Sequence, residues 1–233
     1  NLLDWAVTNL LNEKIEEPWI KANPFKGISS KDYGKKKRSY EALKTDQLHH
    51  LFKLNMPNDI RLQLAIGITT GMRLDEIALL EWEQYKIDRN GLRYFDLSLG
   101  AIVKNDKFSA RTVAIPDCLM LPKPAKGRLF DWVTDDDGKS SKEASKALNK
   151  WVNKIRYNGA DDRKVFHSLR HNLTGFMSNL SPTPPSEHMD WITGHGMEGN
   201  VTASERQLTY SQDVDVEIKY NIVNRVNHPW LNQ

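Results

Sequence analysis

The chain has 233 residues, 39% of them hydrophobic, and 33 Lys and Arg against 30 Asp and Glu for a net charge of +3. That length holds one large domain, or one domain with a piece of another, and can bury a core without disulfide or metal staples. The composition excludes wholesale disorder, no apolar run approaches the ~20 residues of a membrane-spanning helix, and the single Cys118 excludes an internal disulfide or a cysteine-rich zinc site. A soluble protein of the reducing cytoplasm, with no membrane partner, is the expectation.

The sequence opens at Asn1 without a secretory leader. Leu2, Leu3, Val7, Leu10, Leu11 and Ile15 recur at helical spacing, and Pro18 and Asn23-Pro24 end the pattern. This fits either a complete amphipathic helix or the last helix of an upstream domain. The second is preferred, because residues Gly27 to Tyr40 are polar and basic, with Gly and Ser loosening the chain and Lys35-Lys36-Lys37-Arg38 extending it. Such a run is a linker, or a place to meet a phosphate backbone.

Helical periodicity follows. Thr45 is the expected N-cap of a helix carrying Leu48, Leu51 and Phe52, and Asn58 or Asp59 that of a helix carrying Ile60, Leu64, Ala65 and Ile68. Gly71 breaks the pattern, and Arg73–Leu80 resumes it. Asn90-Gly91 is a hairpin signal before the alternating run Leu92–Leu99, and a second alternating run, Arg111–Ile115, stops at Pro116. Two or three antiparallel strands are therefore expected between about Tyr85 and Ile115. Ser141 is the expected cap of a helix with Ala144, Ala147, Leu148, Trp151, Val152 and Ile155, closed by Gly159. Further helices are predicted over His167–Leu180, Ser186–Thr193 and Val214–Val226. The predicted class is α+β, mainly α-helical, with one small three-stranded antiparallel sheet.

Charge is distributed unevenly. Residues 139–173 carry nine Lys and Arg against three Asp and Glu, whereas residues 181–233 carry three against seven. A basic face turned to an anionic partner is one reading, and charge segregated for solubility is the other.

Four clusters carry chemistry. Thr70-Gly71-Met72-Arg73-Leu74-Asp75-Glu76 is a glycine turn opening a helix with an Arg in its first turn, where the helix dipole disfavours a cation unless an external anion joins it. Glu76 is placed to hold that guanidinium; an exposed Arg–Glu pair is the plain alternative. His167-Ser168-Leu169-Arg170-His171 puts His167, Arg170 and His171 on one helical face. Histidines four apart also suit zinc, but Ser168 stands where a metalloprotease helix has Glu, and Arg170 would repel the metal. Thr193-Gly194-His195 is a helix end presenting an imidazole, or simply a cap. Leu208-Thr209-Tyr210-Ser211 precedes the apolar series Val214, Ile218, Ile222 and Val226.

Taken in order, Thr-Gly-Met-Arg-x-x-Glu, His-x-x-Arg-His, Thr-Gly-His and a late Tyr resemble the signature of the tyrosine recombinases, the phage-integrase family, over roughly Thr45 to Val226. The resemblance implies a catalytic domain over 41–233, a basic interdomain linker over 27–40, and a remnant of a core-binding domain over 1–26. It implies Arg73, Lys104, His167, Arg170, His195 and Tyr210 as catalytic residues, without metal or other cofactor. Lys104 is chosen because Lys104-Asn105 ahead of Ser109-Ala110-Arg111-Thr112-Val113 is similar to the family's hairpin lysine pattern, with Lys107 the rival. Tyr210 is chosen over Tyr220, which falls inside the apolar helical series, although fifteen residues separate it from His195. The arginines would neutralise a phosphodiester, the histidines, at ordinary pKa values near ~6.5, would hydrogen-bond or shuttle protons, and Tyr210 would form a 3′-phosphotyrosyl bond. The partners so implied are double-stranded DNA at attachment sites, other protomers in a tetramer on DNA, and accessory DNA-bending or directionality factors. The competing readings are a type IB topoisomerase, a DNA-binding module with a decayed site, and a zinc hydrolase using His167 and His171.

Overall fold

The computed structural model describes residues 40–99, 110–134, 141–157, 163–194 and 214–231. The elements among them are α1 (Thr45–Lys53), α2 (Asn58–Thr70), α3 (Leu74–Ala78), β1 (Tyr85–Ile87), β2 (Arg93–Asp96), β3 (Thr112–Ala114), α4 (Ser141–Lys154), α5 (Ser168–Ser178), α6 (Ser186–Thr193) and α7 (Val216–Val223). The chain divides after Ser39, and all of these lie in the unit Tyr40–Gln233. This is the mainly helical α+β class with a three-stranded antiparallel sheet.

Burial explains the arrangement. Nearly every residue of α2 from Ile60 to Thr70 is removed from solvent except its Arg61-Leu62 edge, so this helix is apolar around most of its circumference and runs through the interior. It packs against α5, α3 and α4. Gly67 permits the close approach of Phe166, because a Cβ there would lie 2.7 Å from the Phe166 ring. In α4 and the turn that follows it the amphipathic pattern is followed closely: Ala144, Leu148, Val152 and Ile155 are buried, and Ala147 and Trp151 flank them. Each fully buried Leu or Ile of this core contributes roughly 1.5–3 kcal/mol of transfer free energy. A second, smaller core joins Ala114 of β3, Leu173 and Met177 of α5, Ile192 of α6, and Ile222, Val223 and Val226 at the C-terminal end.

The sheet is a meander in the order β1-β2-β3, with Phe95 opposite both Tyr85 and Val113. Asp88 builds the first turn by accepting from the backbone N–H groups of Asn90 and Leu92 through Oδ1 (2.8 Å each). The alternating run predicted to reach Leu99 stops pairing at Asp96. There Asp96 Oδ1 accepts from the Ser98 N–H and folds Leu97–Leu99 into a 3₁₀ turn.

Several helix ends differ from expectation. Thr45 and Asn58 are first helical residues, not caps: Lys44 takes the cap position with its N–H donating to Gln47 Oε1 (3.0 Å), and Pro57, with ψ 143°, sets the extended entry to α2. Ser141 likewise is the first residue of α4, and the expected closure at Gly159 lies outside the described residues. The last helix begins two residues late, where Asp215 Oδ1 accepts from Glu217 N–H (2.9 Å) as a true N-cap. Among the described residues no helix is long and apolar enough to cross a membrane.

Candidate active site

The site is organised by the turn between α2 and α3. Gly71 ends α2 in the left-handed conformation (φ 66°, ψ 17°), and a Cβ there would also crowd Leu173 and Thr193 at 3.0 and 3.1 Å. The turn delivers Arg73 to the cap position of α3. Glu76, on the first turn, accepts from the Arg73 N–H through Oε2 (2.7 Å) and from Arg73 Nη1 through Oε1 (3.1 Å). The dipole that disfavours a cation at this helix start is thereby offset by a carboxylate. The Arg73 side chain stays 20% exposed, so it is stabilised yet within reach of an outside anion.

The second arginine comes from α5. Ser168 Oγ accepts from Val165 N–H (3.0 Å) and Asn149 Oδ1 from Phe166 N–H (2.7 Å), fixing the approach to that helix. Arg170 turns inward to 2% exposure, and its Nη1 donates to the carbonyl of Gly71 (2.7 Å). The expectation of one shared face therefore holds only in part. His167 and His171 have ring centroids 5.2 Å apart, while Arg170 is drawn into the interior by the α2–α3 turn.

His167 departs from the ordinary pKa expected of it. Burial, followed by the positive charges of Arg170, His171 and Arg73, lowers it to about 4, so the imidazole is neutral at neutral pH. His171 is lowered by burial and by Arg170. His167 also lies 5.5 Å from the Tyr40 ring and borders a cleft of about 410 Å³ that Asp75, Lys142 and Asn149 help to line.

The third motif reaches the first through the backbone. Helix α6 ends at Gly194, again left-handed (φ 66°, ψ 39°), and the Gly194 carbonyl accepts from Arg73 Nη2. Arg73, His167, Arg170 and the Gly194 turn are thus brought together from three distant stretches of sequence. Lys104, Lys107, His195 and Tyr210 lie outside the described residues. Tyr220 sits on α7 with its hydroxyl donating to Asp117 Oδ1 (2.6 Å), and that hydrogen bond is the main reason its phenol is pushed up from its ordinary pKa. A phenol held protonated by a carboxylate is the opposite of an activated nucleophile.

One residue at the site went unrecognised as a participant. Arg111 is 1% exposed and donates to Glu76 through both terminal nitrogens, Nη1 to Oε1 (2.8 Å) and Nη2 to Oε2 (3.1 Å). Burial alone would raise the Glu76 carboxyl, but the charge and hydrogen bonds of Arg111, then those of Arg73, hold it below the ordinary carboxylate range. The signal was present in the strand alternation: Arg111 is in phase with Val113 and Ile115, both buried, so a cation occupies an inward register. Among the described residues no group of three His, Cys, Asp or Glu side chains is placed to hold a metal ion.

Mainly helical, with a three-stranded meander and two arginines meeting at one turn, the chain has the fold of a tyrosine-recombinase catalytic domain. Solved structures of that fold match it. The integrase from mycobacterium phage Brujita is 14% identical with a TM-score of 0.54, over 97% of this chain and 69% of that one. A lambda integrase dimer bound to a COC′ core site gives 16% and 0.51, over 92% and 61%. The Tn1549 transposon integrase in complex with circular intermediate DNA gives 14% and 0.51, over 93% and 74%. The likeness is one of fold, and the chain spans between three fifths and three quarters of these relatives. No family model and no curated protein matches the sequence.

Proposed function

We propose that this chain is the catalytic domain of a site-specific DNA recombinase, an integrase of phage or mobile-element DNA that cleaves and rejoins strands through a 3′-phosphotyrosyl intermediate. The observation that carries the reading is the convergence at Gly71. Arg73 leaves this turn, Arg170 grips its carbonyl, and Arg73 also holds Gly194, the residue preceding His195.

The chemistry follows from the charges. A phosphodiester repels nucleophiles, and its alkoxide leaves poorly. Arg73 and Arg170 lower the first barrier by neutralising the non-bridging oxygens as negative charge grows on them. His167 starts neutral, with its pKa lowered to about 4, so it can hydrogen-bond or accept a proton in the reaction and carries a third positive charge only once it has accepted one. Tyr210 attacks phosphorus, the bond to the 5′-oxygen breaks, and Lys104 protonates that oxygen. The phosphotyrosyl bond conserves the bond energy, so a 5′-hydroxyl of a second strand can attack and release Tyr210. Residues 41–233 form this catalytic unit, 27–40 a basic linker that meets the phosphate backbone, and 1–26 the end of a core-binding domain. The partners are duplex DNA at attachment sites and further protomers in a tetramer.

A suicide substrate built on the attachment site, identified from the DNA flanking the gene, should trap a covalent complex that Tyr210→Phe abolishes. A complex that survives Tyr210→Phe and vanishes in Tyr220→Phe overturns the choice of nucleophile. Relaxation of supercoiled DNA lacking any attachment site, without strand exchange, would instead mark a topoisomerase.

A further inference from the structure

The Arg111 side chain is fully buried, and its terminal nitrogens are engaged by the protein's own groups beside Arg73. Its two terminal nitrogens hold both oxygens of Glu76, the carboxylate that also holds Arg73. Its Nη2 lies 3.4 Å from the carbonyl of Thr193, and a Cβ on Gly194 would stand 2.6 Å from its Cζ. Arg73 closes the ring by donating to the Gly194 carbonyl. The Arg111 carbonyl accepts from Leu97 N–H (3.0 Å), which ties the ring to the sheet. Glu76, Arg73, Gly194 and Arg111 thus form one closed circuit joining α3, the end of α6 and the start of β3.

A planar fork is needed for this task. Lysine would offer one point charge, and could not hold two carboxylate oxygens in parallel while lying flat against a glycine. The circuit also explains why Gly194 has no side chain: any Cβ would occupy the guanidinium's seat.

We infer that Arg111 is a positioning residue for strand cleavage, fixing the Arg73 guanidinium through Glu76 and the end of α6 through Thr193 and Gly194. The inference rests on the recombinase reading. Arg111→Lys keeps the charge and loses the fork. It should bind duplex DNA with unchanged affinity and form the covalent complex about 100-fold more slowly at saturating DNA, the scale of a small misplacement of reacting groups. Cleavage at the wild-type rate, or a loss confined to DNA affinity, overturns the inference. If Arg111→Lys does not fold, Arg111→Gln, planar and able to donate, takes its place, and failure of both to fold marks a purely structural ion pair. If the wild-type protein itself forms no covalent complex, the recombinase reading falls. The inference is then decided by the NMR signal of the Arg73 guanidinium, which shifts in Arg111→Lys if the link exists and stays put if it does not.

Discussion

At the Gly71 turn a buried carboxylate, Glu76, is held charged between Arg73 and Arg111, whereas near the C-terminal end a buried imidazole, His228, is held neutral among rings. His228 is 3% exposed, packs against Phe176 and Trp230 at centroid distances of 6.3 and 5.6 Å, and neither ring nitrogen has a hydrogen-bond partner among the described residues. Burial lowers its pKa to about 4. Burial disfavours the charged form in both places, and what differs is the neighbour. Two guanidiniums outweigh desolvation at Glu76, and aromatic faces offer His228 nothing to outweigh it. The lesson is that one interior can keep one group ionised and another un-ionised at the same pH, and that only the first kind of corner can organise an anion site.

The most damaging way to break the charged corner is Glu76→Leu, which leaves two arginines facing each other with no anion between them. Urea unfolding should register a loss of about 3–5 kcal/mol. The neutral corner is next. Because the folded pKa of His228 lies below its unfolded value of ~6.5, the unfolded chain takes up the proton first, and stability falls as pH drops from about 6.5 to about 4. The contribution of His228 to that loss should reach up to about 3 kcal/mol in pH-dependent unfolding and be missing in His228→Phe. A smaller remaining slope belongs to His167, whose folded pKa is lowered into the same window but whose ring is less enclosed. Glu76 works at lower pH. Its depressed carboxyl stabilises above the ordinary carboxylate range, and that contribution disappears only as pH falls through the folded value, so acid separates the two corners along the pH axis.

Lys219 sharpens the contrast from a third side. It is fully buried on α7, with Nζ donating to the carbonyl (2.7 Å) and hydroxyl (3.0 Å) of Thr112. Lys219→Met removes that donor and should cost about 1–3 kcal/mol by thermal unfolding. The smallest effect belongs to Tyr220→Phe. It loses one hydrogen bond to Asp117 near the surface, should cost at most about 1 kcal/mol, and should leave the covalent complex intact.

Much of the scaffold was legible because periodicity is a local property. Leu148 and Val152 announce the buried face of α4, and Asn90-Gly91 announces the meander. The Gly71 turn was legible because a glycine interrupts an apolar helix just before an arginine. What was hidden depends on residues far apart in the chain. Nothing near Arg111 reveals that Glu76, 35 residues away, waits for it, or that Gly194 lies against it. The lowered pKa of His167 was hidden in part for the same reason: its largest cause is burial, while the charges of Arg170 and His171 stand in the same motif and only that of Arg73 comes from far away. Helix ends slipped by one or two residues because caps such as Lys44 and Pro57 act through the backbone, which Thr45 and Asn58 obscure.

Gly71 gives the two arginines a common ancestry in space, though 99 residues separate Gly71 from Arg170. One residue's torsion angles aim Arg73, and its carbonyl anchors Arg170. Neither arginine can therefore drift in position while the other stays put. Any side chain at residue 71 would disturb both at once, and making room at Leu173 and Thr193 would relieve the crowding but not the strain of the left-handed backbone. The two arginine motifs are written apart in the sequence and meet at one residue.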